Sequence, residues 1–409
     1  MTSRERVLSA TRHQEPDRVP IDCGAMRSTG VQAIAYNRLK AHLGIAGGHT
    51  RVYDMVQQLA EPEEDYLERF NIDAINAGRE WAADQWREWK LPDGSACEVP
   101  SYVQLRREGG GWLALGDDGD VIGRLAASAT YFTQTCFPLD CTDWPSRLND
   151  LPEQMSRVIW GGLPEPLYAD GLSEANLQRI AGHLEQLRQR SARAIMMPFG
   201  ANLFEWGSYL RRMDRFLMDL AAAPADAEAL LDKLVEVHLD GLNRLLPVLG
   251  DSVDLISLGD DLGMERGLLF SPKLYRRFFK PRHKLIIDHI KRLSPNLKVF
   301  LHSCGSIYLL LRDLVEVGVE VINPVQISAE DMEPAKLKRE FGADLTFWGG
   351  GCDTQAILPR ATPEQVKDHV RRNIDTFAPG GGFVFAQVHN ILAEVPPANI
   401  VAMYEAAAQ

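Results

Sequence analysis

The sequence predicts an α/β protein folded as a (β/α)8 TIM barrel that carries an inserted subdomain containing a β-hairpin. Three observations lead there. Eight short β-rich runs are spread along the chain, helical patterns separate the later ones, and the interval from about Arg79 to Pro166 breaks that alternation. Parallel strands need helical crossovers, and eight of them close into a barrel.

The first strand is expected at Arg18 to Cys23 (RVPIDC) and the second at Ile72 to Asn76 (IDAIN), where β-branched residues alternate between turn residues. The next interval is rich in Trp, Gly and Asp. Within it, Gly109 to Gly123 (GGGWLALGDDGDVIG) reads as a β-hairpin with a Gly/Asp turn. Trp81, Trp86 and Trp89 are spaced like one helix face and read as the core of this insertion. Residues 79–166 are therefore taken as an insertion between strands two and three, placed to cap the barrel mouth.

Six further strands are expected at Ala194 to Phe199, Asp254 to Leu258, Val299 to Cys304, Val319 to Pro324, Leu345 to Trp348 and Phe383 to His389. Leu231, Leu234, His238, Leu242 and Leu245 recur every three or four residues and predict a helix with one buried stripe. Ser271-Pro272 and Thr362-Pro363-Glu364 each set a capping hydroxyl before a proline at the first helical position, where its missing N–H costs nothing. His238, His283, His289 and His369 fall in helical segments and read as packed or surface imidazoles.

The length of 409 residues suits one large barrel with an insertion, or two domains. With 45% hydrophobic and 24% charged residues the composition is globular, and a net charge of −12 argues against a nucleic-acid-binding face. Six irregularly spaced cysteines do not resemble a secreted disulfide framework. Without an apolar leader segment or an 18-residue apolar run, the expectation is a cytoplasmic protein with no membrane partner. Neither a dinucleotide fingerprint after the first strand, nor a P-loop, nor a G-x-S-x-G elbow occurs.

Barrel enzymes gather their chemistry at the carboxyl ends of the strands. Here those ends are polar: Asp260 and Asp261 follow the fourth, His302 and Cys304 end the fifth, and Asn323 and Gln326 follow the sixth. Cys352 and Asp353 follow the seventh, and His389 and Asn390 the eighth. Residues two apart on a strand share a face, so His302 and Cys304 would project together as an imidazole and a thiolate, both good zinc ligands. A buried thiol beside a hydrogen-bonded histidine is the plain alternative. A third ligand is available from Cys352 or His389, and a carboxylate from Asp260 or Asp261. Because neighbours alternate, only one of those two aspartates need face the mouth. Gly349-Gly350-Gly351 fits either close approach to a ligand or a tight turn.

The segment Gly259 to Glu405, together with Arg4 to Pro20 (RERVLSATRHQEPDRVP) and Gly380 to Ala402 (GGGFVFAQVHNILAEVPPANIVA), resembles the uroporphyrinogen decarboxylase family. That family includes the decarboxylase itself and zinc methyltransferases of corrinoid-dependent methyl transfer. The resemblance implies a single barrel over residues 1–409. The decarboxylase branch carries Arg-Gln-Ala-Gly-Arg after its first strand and an aspartate in a Phe-Ser-Asp-Ile-Leu segment at the second strand end. This chain instead reads Cys23-Gly-Ala-Met-Arg-Ser-Thr-Gly30, with only Arg27, and Ile75-Asn-Ala-Gly78. His302-Ser-Cys304 matches the His-x-Cys of the methyltransferase branch, whose third ligand, usually cysteine, aligns here with His389 unless Cys352 substitutes.

The resemblance thus implies a zinc-dependent methyltransferase acting between a small-molecule methyl donor or acceptor and a corrinoid protein. Asp260 or Asp261 would orient substrate or donate a proton, and Arg27, Asn323, Gln326 and Asn390 would bind substrate. No Asp-x-His-x-x-Gly corrinoid motif occurs, so the corrinoid would come on the partner. The alternative is a metal-free decarboxylase or lyase of the same family acting on a substrate other than uroporphyrinogen. A homodimer is left open.

Overall fold

The computed structural model describes residues 1–81 and 84–409. Eight parallel strands form one sheet: β1 (Ile21–Asp22), β2 (Ile72–Asn76), β3 (Ala194–Gly200), β4 (Leu255–Gly259), β5 (Lys298–His302), β6 (Val321–Asn323), β7 (Thr346–Trp348) and β8 (Phe383–Val384), paired in that order. The sheet closes on itself. Ile21 bridges Phe385 in parallel, Asp22 N–H donates to the Phe385 carbonyl at 2.8 Å, and Phe385 N–H donates to the Pro20 carbonyl at 2.8 Å. Every expected strand falls on one of these, with the first and last trimmed. Arg18 leaves β1 to pair with Asp73, and the chain beyond Val384 turns, reaching φ 64° at His389.

Side-chain alternation fills the barrel in layers. Ala74, Met196, Leu255, Phe300, Val321, Trp348 and Val384 form one buried cluster inside it, joined from below by Val7 and Ala10 of the Ser3–Ala10 helix. Phe300 and Trp348 meet edge to face at 5.5 Å. Two residues further along their strands, and hence on the same inward face, come His302 after Phe300 and Asn323 after Val321. The polar layer at the mouth is therefore the continuation of the apolar layer beneath it.

Outside the barrel, the Pro224–Leu249 helix buries Leu231, Leu234, His238, Leu242 and Leu245 as its periodicity requires. Ser271 and Thr362 cap the N–H groups of Leu274 and Gln365, both at 3.3 Å. Behind Ser271 the helix passes through one π-turn, Tyr275–Phe279, before continuing as Lys280–Leu293. Such turns are rare, and this one rotates the Lys280–Leu293 helix so that His283 faces the barrel. Gly349 takes φ 123°, and a Cβ there would lie 2.1 Å from the Pro324 carbonyl oxygen. The glycine run thus serves a tight turn against backbone. No described helix is long and apolar enough to cross a membrane.

Between β2 and β3 lie an antiparallel pair, Trp86–Lys90 with Ala96–Pro100, and a four-stranded antiparallel sheet. The expected hairpin is there, as Gly111–Leu115 paired with Val121–Leu125. The tryptophan series is not a helix face. Trp86 and Trp89 sit on a strand, because Pro92-Asp93-Gly94 supplies a turn that folds it back on its partner. Trp89 packs on Trp112 at 5.5 Å and joins the pair to the larger sheet, while Trp81 packs on His183 at 5.1 Å.

The lower end of the barrel is held by two buried carboxylates. Asp73, fully buried on β2, accepts from Arg6 at 2.7 Å, from Arg18 at 2.6 and 3.0 Å, and from the Ile21 N–H at 2.9 Å. Asp254 does the same before β4, with Arg4 and Arg188 each at 2.7 Å and the Ile195 N–H at 2.9 Å. Removing one member of such a cluster strands the others. Asp73→Ala is expected to cost about 3–5 kcal/mol, read as a lower urea midpoint with unchanged slope, and a shift within error of zero would mean that Asp73 does not pin the barrel.

Candidate metal centre

His302 ends β5 with its ring held on one side. Its Nδ1 lies 2.7 Å from Asn323 Oδ1, and Asn323 is oriented in turn because its Nδ2 donates to the Trp348 carbonyl at 2.8 Å. Ser28 Oγ donates to the same Oδ1 at 2.8 Å. The amide oxygen must accept, so Nδ1 carries a proton and Nε2 is the ring nitrogen of His302 left for a ligand. A histidine poised to ligate metal has this arrangement. Nε2 lies 3.3 Å from Cys304 Sγ and 3.5 Å from Asp261 Oδ1.

His389 completes a cluster of three. Its ring centroid is 5.5 Å from that of His302, and the ligand atoms of His302, Cys304 and His389 all lie within 4.8 Å of one another. Burial, with His302 beside it, lowers His389 to about 4, so the ring is neutral as a ligand must be. The Asn390 N–H donates to His389 Nδ1 at 2.9 Å, so ligation through that nitrogen would exchange this bond, worth about 1 kcal/mol net, for the metal. Burial, then Asp261 and Glu205, raise the Cys304 thiol well above its ordinary range. A thiolate there needs a cation to offset the acids around it. Two imidazoles and one thiol fit zinc, and three is the number of ligands a catalytic zinc takes from protein.

Cys352 is not part of the cluster. It is fully buried in the hydrophobic core, with Sγ toward the Asp353 carbonyl at 3.8 Å. The two aspartates do alternate, and Asp261 is the one at the mouth, its Oδ1 accepting the Cys304 N–H at 2.8 Å. Asp260, expected as a catalytic candidate, is fully buried instead. It accepts the Phe204 and Glu205 N–H groups at 2.9 Å each and faces His283 Nε2 at 3.2 Å, so it anchors the start of the Phe204–Arg211 helix.

The expected substrate-binding residues fare differently. Arg27 lines the pocket but is already matched, to Glu165 at 2.7 Å and Asp54 at 3.2 Å, and lies over the Trp160 ring at 5.2 Å. Asn323 works through His302. Gln326 braces a loop between the Gly305 N–H at 2.8 Å and Glu265 at 2.7 Å. Asn390, buried, holds the Gly30 N–H at 2.8 Å and Gln57 at 2.9 Å. Neither Gln326 nor Asn390 faces the cavity.

That cavity, about 510 Å³, has His302, His389 and Asp261 at one end and aromatic walls that include Trp160, Tyr168, Phe199 and Trp206. Trp160, Tyr131 and Glu165 come from the segment between β2 and β3. Among the lining residues outside the sequence expectations are Glu205 and Tyr209, one turn apart on the Phe204–Arg211 helix. The signal available for them was an acid and a phenol at i, i+4 directly after the third strand. Tyr209 donates to Glu205 Oε1 at 2.5 Å, Asn202 donates to Oε2, and the Asp261 N–H donates to Oε2 at 3.2 Å. Burial and then the Asp261 and Asp260 carboxylates push Glu205 up to about 8.

The uroporphyrinogen decarboxylase (URO-D) family model matches residues 169–409. The uroporphyrinogen decarboxylase of Sodalis glossinidius is 24% identical over 329 residues, covering 74% of this chain and 86% of that protein. That of Geobacter metallireducens is 23% identical over 212 residues, 52% and 55% of the two chains. A solved methyltransferase from Methanosarcina mazei shares the fold, with TM-score 0.59 at 17% identity over 100% of this chain and 98% of its own. With β3 to β8 and all three clustered side chains inside the family match, the chain belongs to the uroporphyrinogen decarboxylase family.

Proposed function

We propose that this protein is a zinc-dependent methyltransferase that moves a methyl group between a small methylated substrate or thiol and a corrinoid carried on a partner protein. The observation that carries the reading is the convergence of His302, Cys304 and His389 at the end of an aromatic-walled cavity. When bound there, zinc supplies Lewis acidity, lowering the pKa of a thiol or stabilising a leaving group.

The chain's own residues do the rest. Asn323 fixes the tautomer of His302, and Asp261 holds the loop of Cys304 through its backbone. Trp160, Trp206 and Phe199 enclose the substrate and exclude water, which strengthens every polar interaction inside. The fold's mouth faces outward at the strand ends, where a carrier protein can present its cofactor.

Decarboxylation of uroporphyrinogen fits this cavity poorly. A polycarboxylate needs several cations, and among the described residues lining the cavity Arg27 is the one Lys or Arg, with Asp54 and Glu165 already on it. Incubation with uroporphyrinogen is expected to yield no decarboxylated porphyrinogen by chromatography; turnover would return the chain to the decarboxylase branch.

Metal analysis tests the centre directly. About one zinc per chain is expected, in keeping with a three-ligand site. His302→Ala, Cys304→Ala and His389→Ala should each abolish stoichiometric binding while Cys352→Ala retains it. Asn323→Ala, which frees the His302 ring, should weaken zinc about 10–100-fold by competition with a chelator. Loss of metal in Cys352→Ala with retention in His389→Ala would reverse the assignment of the third ligand.

A further inference from the structure

The cavity holds a carboxyl–phenol pair that the metal centre does not need. Glu205 and Tyr209 line the same space as His302 and His389, are hydrogen-bonded at 2.5 Å, and sit on a helix whose first N–H groups are pinned by Asp260. We propose that Glu205, acting with the Tyr209 hydroxyl, donates the proton to the leaving group during methyl transfer, and that the methyl donor is accordingly an uncharged methyl ether. The inference rests on the methyltransferase reading above.

Two sets of observations meet here. The first is the placement of the acid. Glu205 shares its surroundings with Asp261, whose backbone N–H it accepts, and with buried Asp260 one residue further back. Two carboxylates this close do not both ionise readily, and the elevation of Glu205 to about 8 agrees with a proton kept on it at neutral pH. Asn202 and Tyr209 hold its two oxygens, so the group is oriented. A carboxyl kept neutral in an enclosed pocket is the form that serves as general acid, and such a group contributes about 10²–10⁴-fold.

The second is the character of the walls. Among the described residues no unpaired Lys or Arg lines the cavity, so no side chain recruits an anionic donor, while Trp160, Trp206, Tyr168 and Phe199 suit an apolar or aromatic body. An onium donor would leave as a neutral amine and need no proton. An ether leaves as alkoxide or phenoxide and does. The methyl C–O bond breaks with its electron pair left on oxygen, and that oxygen takes the proton of Glu205. A carbon–cobalt bond forms with the electron pair of the partner's Co(I), formally oxidised to Co(III), and the Glu205 carboxylate regains its proton from solvent.

The test uses the zinc-loaded full chain with cob(I)alamin as acceptor and three donors: 2-methoxyphenol, 4-nitroanisole and tetramethylammonium. Methylcobalamin with 2-mercaptoethanol provides a separate thiol arm. The wild type is expected to demethylate both ethers in preference to tetramethylammonium. Glu205→Gln, which keeps the shape and the Asn202 contact, should slow 2-methoxyphenol at least about 10²-fold at unchanged zinc content. It should slow 4-nitroanisole far less, because that phenoxide leaves without help. Tyr209→Phe should show the same ranking to a smaller extent. Equal losses on the two ethers, or a preference for tetramethylammonium, overturns the proposal. Transfer to the thiol with none from either ether overturns it too while leaving the methyltransferase reading in place. No methyl transfer in any arm sinks that reading, and the proposal with it.

Discussion

Closure of the sheet between β1 and β8 is the constraint on which everything else hangs. Two backbone hydrogen bonds between Pro20–Asp22 and Phe385 bring the chain's ends together, and Asp22 secures the seam from inside. Its carboxylate accepts Trp348 Nε1 at 2.8 Å and the Ala25 N–H at 3.0 Å while fully buried, and burial raises it to about 6. A buried carboxyl is costly unless fully bonded, and here one bond reaches across the barrel to Trp348 on β7 while the other holds the loop that follows β1. Only in a closed barrel do His302 on β5 and His389 after β8 face each other across the axis. In an open sheet of the same strand order they would lie on strands separated by β6 and β7.

Charge is sorted between the two ends of this barrel. At the lower end, acids are met by arginines: Asp73 by Arg6 and Arg18, Asp254 by Arg4 and Arg188. At the mouth, Asp261, Glu205 and Cys304 have no arginine among the described residues, and the one guanidinium nearby is held by Asp54 and Glu165. Pairing at the bottom serves stability. Leaving acids and a thiol together at the top works against it, and folds tolerate such local conflict where a ligand or a reaction resolves it.

Much of this was legible in the sequence. Strands in a parallel barrel are short, apolar and bounded by turns, so all eight could be placed, and the two-residue period put His302 beside Cys304. Features set by contacts between segments distant in sequence could not be read. Cys352 and His389 were equivalent candidates for a third ligand because both follow strand ends; that His389, on left-handed backbone, joins His302 and Cys304 while Cys352 stays in the core is a tertiary fact. Trp86 and Trp89 looked helical because a spacing of three fits a helix, whereas the turn at Pro92-Asp93-Gly94 made them strand. Asp260 and Asp261 were expected to diverge and do, yet which one turned inward depended on a helix packed outside.

That helix shows how residues remote from the mouth set its chemistry. The π-turn at Tyr275–Phe279 aims His283 at Asp260, with Tyr275 OH 3.2 Å from His283 Nδ1. Asp260 in turn binds the first N–H groups of the Phe204–Arg211 helix, where a carboxylate is favoured by the helix dipole. One turn of that helix then carries Glu205 and Tyr209 into the cavity on a single face. His283, read from sequence as an unremarkable packed imidazole, and Asp260, read as a catalytic acid, thus exchange expectations in part. Neither meets the cavity, but the direction in which Glu205 points is fixed by both, and a helix displaced there by even about one ångström would separate the acid from the Asp261 backbone that orients it.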